Sequence, residues 1–232
     1  MSEPRYALYF CPQQSSMLYR FGCRWLGRDV VTGADLEQPD LFAISPERLR
    51  SATASPRRYG FHATLKPPFR LADGLGEADL VEAAQRFAGG LTAFEAPPLV
   101  LRDLAGFLAL QLSEPSVEME MLAAACVTGL DHFRAPPSAA EIARRRSSGL
   151  TPRHEELLAR WGYPFVMEAF RFHMTLTERL EEEERALFEE VLDPMVDRFA
   201  GEKLTVDSIA LYREPAPGQP FMLLTYLPFG GK

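Results

Sequence analysis

The chain has 232 residues, 47% of them apolar and 25% charged, and carries a net charge of −7 at neutral pH. That length is enough to bury roughly 70% of the unfolded surface without disulfide or metal staples. The acidic balance argues against a protein that holds long nucleic acid, because each phosphate contact needs a Lys or Arg. Cys11, Cys23 and Cys126 have no metal-ligand spacing and sit in apolar surroundings, which reads as buried free thiols in a reducing compartment. MSEPRYALYF lacks the basic start and apolar run of a signal peptide. No stretch reaches the ~20 apolar residues of a membrane span. A cytoplasmic protein with no membrane partner is the expectation.

In chain order, residues 5–11 (RYALYFC) are aromatic-rich and closed by Pro12, the pattern of a strand. Ser15 or Ser16 then caps a helix through residue 26, with Met17, Leu18, Phe21 and Trp25 at helical spacing. Ser45-Pro46 opens a short helix, SPERLRSA, with Ser as N-cap and Pro in the first turn. A strand around 59–65 stops at Pro67-Pro68. Residues 76–91 place Leu80, Ala83, Ala84, Phe87 and Leu91 on one helical stripe, and 97–112 reads as strand, turn at Ala105-Gly106 and strand. The second half repeats this order. It has a strand at 107–115, a helix at 117–133, a helix opened by Thr151-Pro152 and a strand over 170–177. A helix at 181–199 and a strand, turn and strand at 203–229 follow. Residues 134–151 are the most linker-like segment.

Three pairs of landmarks recur at similar offsets: Leu8 and Leu110, Ser45 and Thr151, His62 and His173. That argues for an internal duplication. The expected fold is α+β, one bilobed domain over 1–232 with pseudo-twofold symmetry. Two mainly antiparallel sheets face a central cleft, with helices on the outside.

Two of the four histidines share one setting, FHATL at 61–65 and FHMTL at 172–176. Side chains alternate between the faces of a strand. Arg58, Gly60, His62, Thr64 and Lys66 therefore share one face of the first motif strand, and Arg171, His173, Thr175 and Thr177 one face of the second. The other faces are apolar. Two imidazoles flanking a shared space suit displacement at phosphorus without a metal, one taking a proton and the other giving one. Thr64 and Thr175 would donate to nonbridging oxygens, and Lys66 and Arg171 would offset developing charge. Arg58 is a weaker candidate of the same kind. The run ARRR (143–146), and Arg145 within it, reads either as a solvated helix end or as a contact to a second phosphate. Tyr212 either stacks on a base or ribose or packs at the rim. His132 and His154 lack the Thr partner and read as surface residues. Nothing like H-x-x-x-H or a carboxylate-rich His cluster occurs, so no metal and no cofactor are expected.

The paired strands FHATL and FHMTL resemble the signature of the two-histidine (2H) phosphoesterase superfamily. YGFHATLKPPF, ARRR, WGYP and FRFHMTL together resemble its bacterial branch associated with phosphonate utilisation. The resemblance implies a bilobed duplicated fold and metal-independent hydrolysis of cyclic phosphodiesters, or the reverse 2′-5′ ligation. It implies His62 with Thr64 and His173 with Thr175 as the two catalytic motifs. It also implies a small phosphorylated substrate such as a 5-phosphoribosyl 1,2-cyclic phosphate. Two competing readings remain open at this stage, a nucleotide- or phosphoribosyl-binding protein without turnover and an RNA 2′-5′ end-processing enzyme. Oligomeric state is not legible.

Overall fold

β1 (Arg5–Phe10) points Tyr6, Leu8 and Phe10 into the main hydrophobic core and Ala7 and Tyr9 to the opposite face. α1 (Met17–Leu26) is capped by Ser16, whose hydroxyl accepts from the Tyr19 amide, and is closed by Gly27 in the left-handed conformation. α2 (Pro46–Ala52), capped by Ser45, runs almost directly into α3 (Ala54–Tyr59), and β2 (Ala63–Phe69) carries the first motif. The order continues α4 (Glu77–Gly89), β3 (Phe94–Ala96), β4 (Leu99–Asp103), β5 (Leu108–Leu112), α5 (Val117–Gly129), α6 (Ala139–Arg146) and α7 (Pro152–Trp161). It ends with β6 (Met174–Thr175), α8 (Glu182–Val196), β7 (Leu204–Val206), β8 (Ser208–Glu214) and β9 (Met222–Pro228). The structure is a computed structural model and describes residues 3–147, 149–199 and 201–231.

Seven strands form one antiparallel sheet in the order β4-β5-β6-β2-β1-β8-β9, and β3 pairs with β7 apart from it. Exchanging the halves maps β1 on β5, β2 on β6, β3 on β7 and β4 on β8. The order β4-β5-β6-β2-β1-β8 then reads the same backwards, as a duplicated unit would, with a twofold axis between the motif strands and β9 added at one edge. The α+β class and antiparallel pairing agree with the sequence reading. The relation of the two sheets does not. The motif strands are neighbours in one sheet, Ala63 opposite Met174, instead of facing each other from separate sheets. Strand exchange is the cause: β4 pairs with β5 of the other half, and β8 with β1.

α4, α5 and α8 pack on the face that carries Leu8, Leu65, Leu110 and Met174. α1 touches both motifs. A Cβ on its Gly22 would meet the Phe61 ring at 2.0 Å, so glycine is what lets the helix lie against the residue before His62. Its Trp25, 1% exposed, donates its indole N–H to Leu176 O at 2.9 Å beside the second motif. Leaving that donor buried and unpaired would cost about 1–3 kcal/mol.

Three local departures have physical causes. Residues 138–146, inside the segment expected as linker, form α6 because Ser138 and Glu141 make a capping box, amide to hydroxyl at 3.2 Å and amide to carboxylate at 2.7 Å. α6 has no fully buried side chain, so no apolar stripe announces it. The first motif strand begins only at Ala63, because residues 54–59 are helical with Pro56 in the first turn. It then runs through Pro67-Pro68, which sit in a bulge opposite Ala7: Leu8 pairs with Lys66 and Tyr6 with Phe69. The second motif strand shrinks from 170–177 to Met174–Thr175. All three cysteines are buried and free, and no described helix is long and apolar enough to cross a membrane.

Candidate active site

The Ala63–Met174 pair fixes the register at the centre of the sheet. Continued by one residue each way, it sets His62 opposite Thr175 and Thr64 opposite His173. Directly opposed residues share a face, so all four lie on the face left open by the helices. His62 and His173 are diagonal neighbours, a relation that spans about 7–8 Å.

Each imidazole is oriented by a carbonyl two residues earlier. His62 Nδ1 lies 2.8 Å from Gly60 O, and His173 Nδ1 lies 2.8 Å from Arg171 O. A carbonyl oxygen only accepts, so each Nδ1 carries the proton and donates it. Each neutral ring therefore keeps its lone pair on Nε2. His62 Nε2 is 3.2 Å from Thr64 Oγ1. Gly60 has φ +79°, and a Cβ there would meet Val30 Cγ2 at 2.6 Å, so glycine holds the orienting carbonyl in place. Tyr9 stacks on the His62 ring, centroids 3.9 Å apart and planes at 28°. Burial pushes the His62 pKa down to about 4; the Gly60 bond opposes this and the charge on His173 adds to it.

His62, Thr64 and Thr175 line a cavity of about 590 Å³. His173 is not part of the lining; its ring lies 6.1 Å from that of Phe107, which is. Arg58 and Arg145 also line it. Arg58 reaches it from α3, not from the motif strand, and holds Glu214 Oε1 at 2.5 Å. Arg145 lies over the Tyr163 ring at 4.5 Å.

Besides His173, three expected contacts are not brought to the cavity. Lys66 is 1% exposed; its ammonium donates to Val127 O at 2.9 Å and Asp131 Oδ1 at 3.2 Å. The alternation that put it beside His62 breaks at a bulge. Tyr9 pairs with Thr64 but Leu8 pairs with Lys66, so Lys66 joins Leu8 on the helix-covered side. Burial lowers the Lys66 pKa, against the pull of Asp131. Arg171 folds back, its Nη1 donating to Phe170 O at 2.7 Å and Glu168 O at 3.2 Å. Tyr212 is fully buried beneath Tyr9, ring centroids 4.8 Å apart.

Sequence reasoning missed Arg5, Tyr9, Tyr59 and Tyr163, all in the cavity wall, where Arg144 of the basic run also lies. Arg5, Ala7, Tyr9 and Cys11 alternate along RYALYFC, a signal that only the pairing of β1 with β2 turns towards the motif. Among the described residues no three His, Cys, Asp or Glu side chains converge as metal ligands.

A family model described as "Protein of unknown function (DUF1045)" matches residues 64–222. Two curated relatives are both named ribose 1,5-bisphosphate phosphokinase PhnN. The one from Janthinobacterium sp. (strain Marseille) is 40% identical over 235 residues, covering 100% of this chain and 52% of the relative. The one from Laribacter hongkongensis (strain HLHK9) is 36% identical over 225 residues, covering 94% of this chain and 50% of the relative. The chain spans about half the length of the curated relatives it matches. Among solved structures, E. coli LigT complexed with NADP+ covers 99% of this chain and 99% of its own, with TM-score 0.46 and 13% identity. LigT complexed with 3′-AMP covers 98% of each, with TM-score 0.42 and 13% identity.

Proposed function

The chain belongs to the DUF1045 family, and from the geometry of the paired motifs we propose a phosphoesterase of the two-histidine kind that opens a small cyclic phosphodiester without a metal ion. The observation that carries the reading is the pair of imidazoles, each with Nδ1–H held by a carbonyl at 2.8 Å, so that the lone pair of each neutral ring is on Nε2, where His62 accepts from the Thr64 hydroxyl. Simple binding of an anion requires no such pair.

The step runs as an in-line displacement. A water oxygen forms a bond to phosphorus as the bond from phosphorus to one ring oxygen breaks. The water proton passes to Nε2 of His62, which burial keeps neutral at pH 7. His173 enters the step as the imidazolium, its Nδ1–H on Arg171 O, and the leaving oxygen takes the proton from its Nε2, which leaves that ring neutral. The product is a phosphate monoester beside a free hydroxyl. Thr64 and Thr175 donate hydrogen bonds to the nonbridging oxygens as charge builds on them.

The finer substrate is a phosphoribosyl cyclic phosphate formed in phosphonate metabolism. Opening such a ring leaves a ribose bisphosphate, the chemical class after which the PhnN relatives are named, half of whose length this chain matches. The test is a panel of 1,2- and 2′,3′-cyclic ribose phosphates assayed with EDTA in excess. Turnover that survives chelation is expected. Activity that disappears with EDTA and returns with a divalent cation would overturn the metal-free step.

A further inference from the structure

Ring opening uses the His-Thr square and leaves a second part of the cavity without a role. Beyond Tyr9, on the β1 side, the wall is cationic in a chain whose net charge is −7. Arg5 lies on the same strand face as Tyr9, four residues earlier, about 13 Å along the strand at the usual rise. Directly across from it on β8 is Glu214, which is 0% exposed. That one carboxylate accepts from Arg5 Nε at 2.5 Å and from Arg58 Nη2 at 2.5 Å. Against its burial, the two guanidiniums hold the Glu214 carboxyl below the usual range. One carboxylate pinning two guanidiniums leaves surplus positive charge and fixes both forks. α6 brings Arg144 and Arg145 to the same wall, Arg145 lying over Tyr163. Arg146, next in sequence, turns away to Glu155 at 2.9 Å, so the helix presents two of its three cations to the cleft.

We infer that the cleft holds a second anion site, made by Arg5, Arg58, Arg144 and Arg145 with Tyr59 and Tyr163, which takes a phosphate monoester at the far end of the substrate. The inference rests on the cyclic phosphodiester reading above and narrows it. The substrate is a double anion, a cyclic diester at the two histidines and a monoester beyond Tyr9. Guanidinium forks match the acceptor oxygens of a phosphate, and Arg5 with Arg58 brings two positive charges against the single negative charge of Glu214. α6, with no fully buried side chain, is then the element that sets specificity.

The test compares ribose 1,2-cyclic phosphate with and without a 5-phosphate. The parent is expected to prefer the 5-phosphorylated substrate by about 10²-fold or more in kcat/KM, the size of two charge-assisted hydrogen bonds. The double variant Arg144→Ala, Arg145→Ala should collapse that preference to about tenfold or less, while Arg146→Ala on the same helix keeps it. A parent without preference, or a double variant that retains it, overturns the second site and leaves the hydrolase reading standing. If neither compound is turned over, the hydrolase reading falls and the site is judged by calorimetry with ribose 5-phosphate. Binding by the parent, weakened about tenfold or more in the double variant, supports it; equal binding overturns it.

Discussion

The two motifs share Phe-His-x-Thr-Leu, an orienting carbonyl two residues before each histidine and one open face, yet their surroundings differ. Thr64 is opposite Tyr9, and the equivalent partner of Thr175 is Ala109. An aromatic ring therefore lies against His62 at 3.9 Å, while the nearest ring to His173 is Phe107 at 6.1 Å. The carbonyl for His62 comes from a glycine that closes a helix, the one for His173 from an irregular stretch before a two-residue strand. The imidazole against Tyr9 is held neutral by burial. A duplicated motif supplies two groups of one kind, and the aromatic residue on the next strand gives them different surroundings; under the proposed mechanism His62 is the base.

The comparison breaks most directly at the imidazoles. His62→Ala and His173→Ala should each lower kcat on a cyclic ribose phosphate by about 10²–10⁴-fold. The double variant should fall little further, because the pair acts as a unit; steady-state rates of all three decide it. Next in size is Gly60→Ala. It forces a side chain into φ +79° and against Val30 at 2.6 Å, costing about 1–3 kcal/mol in urea unfolding. It also lowers kcat by displacing the carbonyl that orients His62.

Tyr9→Leu sharpens the comparison. With the ring gone, the His62 pKa should rise from about 4 towards 6.5, read by titrating its ring protons by NMR. Turnover should then drop between pH 7 and pH 5, where the parent keeps its rate. An unmoved titration would mean Tyr9 is not what separates the two motifs.

The same asymmetry has a stability consequence. The unfolded chain takes up the His62 proton near pH 6.5, the folded one only near pH 4. Between those values protons favour unfolding, so the contribution is complete above pH 6.5 and is lost as pH falls towards 4. Urea titrations should show a loss on the order of 2 kcal/mol from pH 7 to pH 5 that His62→Gln removes. The smallest kinetic effect belongs to Lys66→Met. Its ammonium faces Val127 and Asp131 on the covered side, so KM should stay within about twofold while stability falls by about 1–3 kcal/mol.

How much was legible follows from which signals are local. The period of two put His62 with Thr64 and His173 with Thr175, and the repeated order of elements carried the symmetry of the sheet. The period failed at Lys66 because a bulge is a property of the strand pair, recorded in the β1 register and not in β2 itself. Arg171 failed because its side chain reaches its own backbone neighbours. Tyr212 failed because β8 is buried on both faces, which removes the alternation that would orient it. Arg5 and Tyr9 were visible as one face of a strand, but only the pairing of β1 with β2 aims that face at the motif. α6 carried a legible capping box, Ser138 to Glu141, without the apolar stripe that draws attention to a helix.

The most direct test is the pH dependence of kcat/KM for a cyclic ribose phosphate, measured in EDTA for the parent and for His62→Ala. The expected result is a bell for the parent with its acid limb near pH 4, and a variant that has lost that limb along with most of the rate. A variant that keeps both the limb and the parent rate would contradict the assignment of His62 as the base.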